Sequence, residues 1–127
     1  MRFLLVEDNE INTELAIELL KDVGVEATHA ANGQIAVDTL QTMSFDAVLM
    51  DIQMPERDGL EATQLIRQLE AQGELFAETQ TPIPIVAMTA HAMKGDRERC
   101  LRAGMSDYIA KPVRATELRA VIERLGL

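Results

Sequence analysis

At 127 residues, 47% apolar and 26% charged, the chain has the size and make-up of one ordinary globular domain with a core of its own. Its longest apolar run is a few residues, too short to span a membrane, and Glu7-Asp8 interrupts the N-terminal run before a signal peptide would be complete, so a cytoplasmic location is expected. A formal net charge of −9 argues against nucleic-acid binding, which needs a basic face to neutralise phosphates, and suits a site that recruits a cation.

Short apolar runs alternate with helical patterns along the chain. Phe3 to Val6 reads as a first strand, and Ile11, Leu15, Leu19, Leu20 and Val23 as the inward face of a helix ended by Gly24. Val25 to Ala30 is a weaker second strand carrying His29. Asn32-Gly33 opens a second helix with Ile35, Ala36, Leu40 and Met43 inward. Ala47-Val48-Leu49-Met50 then reads as a strand buried on both faces that stops at Asp51, with Pro55 unable to continue a ladder. Taken alone, Asp51 supports two readings: an acid placed for chemistry at a strand's carboxyl end, or a turn-initiating Asp ahead of Pro55 and Asp58-Gly59.

A third helix is predicted from about Gly59 to Glu70 on Ala62, Leu65, Ile66 and Leu69. The stretch from Ala71 to Pro82 is irregular, and its Leu75 and Phe76 are expected to fold back onto the body. Ile83 to Met88 forms a fourth strand ending at Thr89-Ala90, and the helix after it runs to about Ala103, closed by Gly104. Cys100 lies within that helix. A lone cysteine makes no internal disulfide, and this one reads as a small buried apolar residue. Asp107 to Ala110 is a fifth strand ending at Lys111-Pro112, and Leu118, Val121, Ile122 and Leu125 make the stripe of a last helix.

Five strand–helix units in this length imply an α/β fold, a doubly wound parallel sheet of order 2-1-3-4-5 with helices on both faces. Under that topology Glu7, Asp8, Asp51, Thr89 and Lys111 all end on one edge. Three crowded carboxylates repel unless a cation neutralises them, and hard oxygen ligands at an open site suit Mg²⁺. The metal and the Lys111 ammonium would flank a doubly charged group, with the Thr89 hydroxyl donating to it, and a phosphoryl group fits that description. Asp51, nearest the middle of the set, is the candidate nucleophile and the residue phosphorylated.

Val6-Glu7-Asp8-Asn9, Met50-Asp51-Ile52-Gln53-Met54-Pro55, Asp58-Gly59, Met88-Thr89-Ala90 and Tyr108-Ile109-Ala110-Lys111-Pro112 together resemble the receiver domain of two-component response regulators. The likeness covers nearly the whole chain in order, and the forms Asp51-Ile52-Gln53-Met54-Pro55 and Met88-Thr89-Ala90-His91-Ala92-Met93 are most similar to receivers of hybrid sensor histidine kinases. The resemblance implies a flavodoxin-like fold and a phosphorelay switch, one receiver domain over residues 1–127, phosphorylated on Asp51 by a phosphohistidine donor. Such a module is not a conventional enzyme, although it assists its own phosphorylation and dephosphorylation. The resemblance further implies Mg²⁺ held by Glu7 or its water, Asp8, Asp51 and the Gln53 backbone carbonyl, a switch pair of Thr89 and Tyr108, and a cis peptide at Lys111-Pro112. Glu7 stands where many members have Asp, which shifts a metal contact toward water. Gln53 and His91 follow Asp51 and Thr89 by two residues and are expected to border the water path to the phosphorylated carboxylate. With no second His or Cys at ligand spacing, both His29 and His91 read as non-catalytic.

The implied partners are a sensor histidine kinase or a histidine phosphotransfer domain, with no nucleic acid or membrane bound by this domain and a weak homodimer through helix 4, strand 5 and helix 5 as a further candidate. The hybrid-kinase likeness favours a receiver cut from a larger protein over a stand-alone one. Each site residue also has a plainer account: Glu7-Asp8-Asn9 and Thr89 as helix caps, Lys111 as a solvated charge, Tyr108 as a core aromatic. Two rivals share the residues. A phosphohydrolase of the haloacid dehalogenase type also uses Asp, Mg²⁺, Thr and Lys, but places a second acid where this chain has Gln53. An interaction module with a vestigial site would bind metal without being phosphorylated.

Overall fold

Residues 1–52, 59–89 and 94–127 are described by the computed structural model. Among them are the strands β1 (Arg2–Val6), β2 (Glu26–Ala30), β3 (Ala47–Asp51), β4 (Ile85–Thr89) and β5 (Asp107–Ala110). The helices are α1 (Glu10–Asp22), α2 (Gly33–Thr42), α3 (Gly59–Ala71), α4 (Lys94–Ala103) and α5 (Ala115–Arg124). All strand pairs are parallel, in the order β2-β1-β3-β4-β5 that the alternation of elements predicts. The central strands β3 and β4 are buried at every position, which is why their sequences run apolar without alternating. β2 lies at an edge and buries only its last residue fully, which accounts for its weaker apolar pattern.

Side chains alternate between the two faces of the sheet. Leu4, Val6, Val48, Met50, Ile85 and Ala87 pack with α2, α3 and α4 through residues such as Leu40, Ile66 and Cys100. Phe3, Leu5, Leu49, Val86, Met88 and Ile109 pack with α1 and α5 through Ala16, Leu20, Leu118 and Val121. A register error of one residue in a strand would turn its buried side chains to the wrong layer.

Three expectations are corrected. In α1 the inward residues are Thr13, Ala16 and Leu20, while Ile11 and Leu15 are 69% and 60% exposed. At about 100° per residue Ile11 and Leu15 lie on the side of the helix away from Thr13 and Leu20, so the apolar residues wrap around α1 rather than form one stripe. In α2, Ile35 is exposed for the same reason, and Val37 takes its place inside. β4 starts at Ile85 rather than Ile83. The Ile83 amide donates to Glu70 Oε2 at 2.6 Å, its carbonyl accepts from Arg67 Nη1 at 2.8 Å, and Pro84 has no N–H to give to a ladder. Leu75 does fold back, 8% exposed, and the Phe76 amide donates to the Leu40 carbonyl at 3.0 Å. Lys111-Pro112 is cis, and so is Thr81-Pro82.

α3 begins hard against the end of β3. A Cβ on Gly59 would meet the Asp51 carbonyl, with Ile52 Cα and Met50 Cγ each at 2.9 Å, and backbone atoms at a sheet's centre cannot give way. Gly95, in α4, has nothing within 4 Å of such a Cβ. Gly59→Ala is therefore expected to cost about 1–3 kcal/mol in urea melts. Gly95→Ala should be neutral or stabilising by up to about 1 kcal/mol. Equal stabilities for the two variants would contradict the close approach.

Candidate functional site

Strand register brings the site together. Val6 pairs with Met50 and Asp51 with Met88, so the residue after β1, Glu7, lies beside the last residue of β3. Glu7, Asp51 and Lys111 each fall two positions beyond a residue of the α1–α5 layer, namely Leu5, Leu49 and Ile109, and so project from the same side of the strand ends. Lys111 crosses the end of β4 to reach them. Its Nζ lies 3.1 Å from Asp51 Oδ2 and 3.3 Å from Glu7 Oε2. Carboxylate oxygens of Glu7, Asp8 and Asp51 all lie within 4.8 Å of one another, Glu7 and Asp51 each 2% exposed and Asp8 open to solvent.

The electrostatics follow from that crowding. The Glu7 carboxyl is pushed above the usual carboxylate range, first by burial, then by a hydrogen bond to Asp51 that only protonated Glu7 can donate, and by the Asp51 charge. The Asn9 amide, donating to Glu7 Oε1 at 3.2 Å, and the Lys111 ammonium pull the other way without winning. The donor set is hard and anionic with one open side, which fits a divalent oxygen-seeking cation such as Mg²⁺.

A family model for the response regulator receiver domain matches residues 3–123. The chain belongs to that family. The sensor histidine kinase GacS of Pseudomonas protegens is 42% identical over 121 residues, which cover 95% of this chain. The chain spans only 13% of that kinase's length. The receiver domain of the sensor histidine kinase PA1611 from Pseudomonas aeruginosa, solved with magnesium coordinated in its active-site cleft, superposes with a TM-score of 0.82 at 40% identity, covering 99% of this chain and 98% of that one. The receiver domain of Saccharomyces cerevisiae Ssk1, co-crystallised with the histidine phosphotransfer protein Ypd1, gives a TM-score of 0.87 at 34% identity over 99% of this chain and 88% of that one.

The receiver fold places the remaining expected residues as follows. Thr89, 1% exposed, ends β4 on the side of Ala87, which belongs to the α2–α3–α4 layer. Tyr108 pairs with Ala87 and packs half-buried against that layer, with the Arg97 guanidinium 5.6 Å from its ring centroid. Gln53 and His91 lie outside the described residues. Of the plainer accounts, capping is right for Asn9, whose side chain accepts from the Asn12 amide at 3.0 Å. His29, read as non-catalytic, lies one residue before the end of β2 with its Nε2 2.7 Å from the Glu7 carbonyl oxygen, a contact that the sequence reading did not include. Among the described residues no helix is long and apolar enough to cross a membrane.

Folding raises the Glu7 pKa, so the folded chain holds that proton more tightly than the unfolded one. This contribution stabilises the metal-free receiver at acid pH and is lost as the pH climbs through the raised folded value. With EDTA at pH 7.5, Glu7→Gln is expected to be as stable as wild type or up to about 1 kcal/mol more so. The difference should shrink as the pH is lowered toward 5. Thermal melts across that range check it, and a Gln variant clearly weaker than wild type at pH 7.5 would refute the crowding.

Proposed function

We propose that this receiver accepts a phosphoryl group on Asp51 from a phosphohistidine donor and reports the charge through Thr89 and Tyr108. The observation that carries the reading is the Lys111 ammonium, 3.1 Å from Asp51 Oδ2 in a pocket with two further carboxylates. An Asp51 oxygen attacks phosphorus, the P–N bond to the donor imidazole breaks, and the imidazole nitrogen leaves with its electron pair and is protonated, giving a mixed carboxylic–phosphoric anhydride. Lys111 sits where it stabilises the charge that builds on the phosphoryl oxygens. Mg²⁺, when bound, would add positive charge that stabilises the phosphoryl oxygens alongside Lys111. Glu7 or its water, Asp8, Asp51 and the Gln53 backbone carbonyl would hold it. Gln53 and His91 are proposed to border the water path that ends the signal, so the module assists its own dephosphorylation as well as its phosphorylation.

The donor is proposed to be a histidine phosphotransfer domain or kinase, as the pairing of the similar Ssk1 receiver with Ypd1 suggests. Its approach has apolar ground beside the acids: a small cleft of about 100 Å³ is lined by the exposed Leu15 with Leu19, Met88, Pro112 and Val113 next to Lys111, and Ile11 is exposed on the same helix. The output face is assigned to α4, β5 and α5, where Tyr108 lies, and a weak homodimer would use the same face. The 127 residues would act as one receiver domain, cytoplasmic, within a larger sensor kinase.

Intact-mass spectrometry after incubation with acetyl phosphate and Mg²⁺ is expected to show one added phosphoryl group on wild type and none on Asp51→Asn, whose amide is not a competent nucleophile. Stoichiometric labelling of the Asn variant would overturn the assignment, and turnover of an external phosphate ester would favour a hydrolase. Thr89→Ala is expected to accept the group still, because Lys111 remains, yet to lose transmission. A missing hydrogen bond of about 0.5–1.5 kcal/mol shifts a balanced equilibrium roughly two- to twelvefold. NMR of the Tyr108 ring on adding beryllium fluoride and Mg²⁺ reads this directly. A wild-type response in Thr89→Ala would break the proposed link.

A further inference from the structure

The acids Glu7 and Asp8 sit in the turn between β1 and α1, and the backbone of that turn is held at two ends. The Glu7 amide makes the last contact to β2, donating to the Ala30 carbonyl at 3.1 Å. Asn9 starts the helix, its side chain accepting from Asn12 and its carbonyl accepting from the Thr13 amide at 2.9 Å and hydroxyl at 2.8 Å. Between these holds lies the Glu7–Asp8 peptide. Its carbonyl oxygen is met by His29 Nε2 at 2.7 Å, a side chain reaching over from the edge strand.

The hydrogen on that bond can be assigned by elimination. A carbonyl only accepts, so Nε2 carries the hydrogen. The Thr13 hydroxyl, 3.3 Å from the same Nε2, already gives its hydrogen to the Asn9 carbonyl and so faces His29 with a lone pair. Nε2–H is thus shared between a strong acceptor and a weaker one, and both the neutral Nε2–H ring and the imidazolium can make it. Thr13 is 7% exposed and fixed within α1, so it steadies the imidazole from below.

We infer that His29 is a positioning residue for the metal-binding turn: by fixing the Glu7 carbonyl toward β2 it sets the Glu7–Asp8 peptide plane and with it the direction in which Asp8 is presented. Released, the peptide is free to rotate, which swings Asp8 away from the other two acids or turns a partly negative oxygen toward them. Either outcome lowers the affinity of the site for a divalent cation while leaving the core untouched, since His29 is exposed. A hydrogen bond from outside the ligand set that orients a ligand typically shows its effect in metal affinity.

The inference rests on the reading of Glu7, Asp8 and Asp51 as a Mg²⁺ site, and the experiment separates the two. Mg²⁺ alone is titrated into the full chain and followed by amide chemical shifts, with thermal melts in EDTA alongside, for wild type, His29→Ala and His29→Gln. The Gln side chain keeps an N–H donor at similar reach. His29→Ala is expected to weaken Mg²⁺ binding about two- to tenfold, with an unchanged metal-free melt and a displaced Asp8 amide signal, and His29→Gln to stay within about twofold of wild type. Wild-type affinity in His29→Ala, or equal losses in the Ala and Gln variants, would overturn the role of His29 while leaving the metal site standing. Absence of Mg²⁺ binding by wild type would overturn the site and this inference together.

Discussion

One ammonium group shared between two buried carboxylates is the constraint on which this site depends. Two full charges about 4.8 Å apart repel by roughly 3 kcal/mol at an effective dielectric near 20, and Glu7, Asp8 and Asp51 make three such pairs within that distance. A domain of this size has only about 5–15 kcal/mol of net stability. The fold tolerates the cluster because Lys111 lies near both buried members and Glu7 holds its proton more readily than an ordinary carboxylate. What remains is an anionic pocket with Asp8 open to solvent, and that residual charge suits the pocket to a cation.

The site and the sheet were legible in the sequence for the same reason. Strands buried on both faces read as unbroken apolar runs, so their ends stand out, and in a parallel sheet all the carboxyl ends fall on one edge. Asp51 after Met50, Glu7 after Val6 and Lys111 after Ala110 are therefore placed near one another by the order of the strands alone. Helix orientation was less legible. The rotation of α1 is decided by whether the small Thr13 and Ala16 or the larger Ile11 and Leu15 face the sheet, and apolar residues on both sides of the helix, Ile11 and Leu15 on one and Leu20 on the other, leave apolar spacing alone without a single stripe to choose. The start of β4 was hidden because Arg67 and Glu70, thirteen or more residues away, take the backbone groups of Ile83. His29 was hidden because its partner is a backbone carbonyl, which has no signature in the sequence of side chains.

The alternation of the strands also divides the site into two layers. Glu7, Asp51 and Lys111 project on the side of α1 and α5, whereas Thr89 and Tyr108 lie on the side of α3 and α4. Asp51 and Tyr108 therefore lie on opposite sides of the sheet, and Thr89 ends the strand between them, where the proposed switch would connect the layers. At the other end of the same strand Arg67 ties α3 to the Gly104 carbonyl at 2.9 Å and to Ile83, and the Ser106 hydroxyl accepts from the Ile85 amide at 3.1 Å. β4 is thus bound to α3 and to the turn before β5 at its amino end. With its amino end held in this way, the proposed rearrangement at Thr89 would be taken up sideways, by side chains in the layer where Tyr108 packs and Arg97 covers its ring.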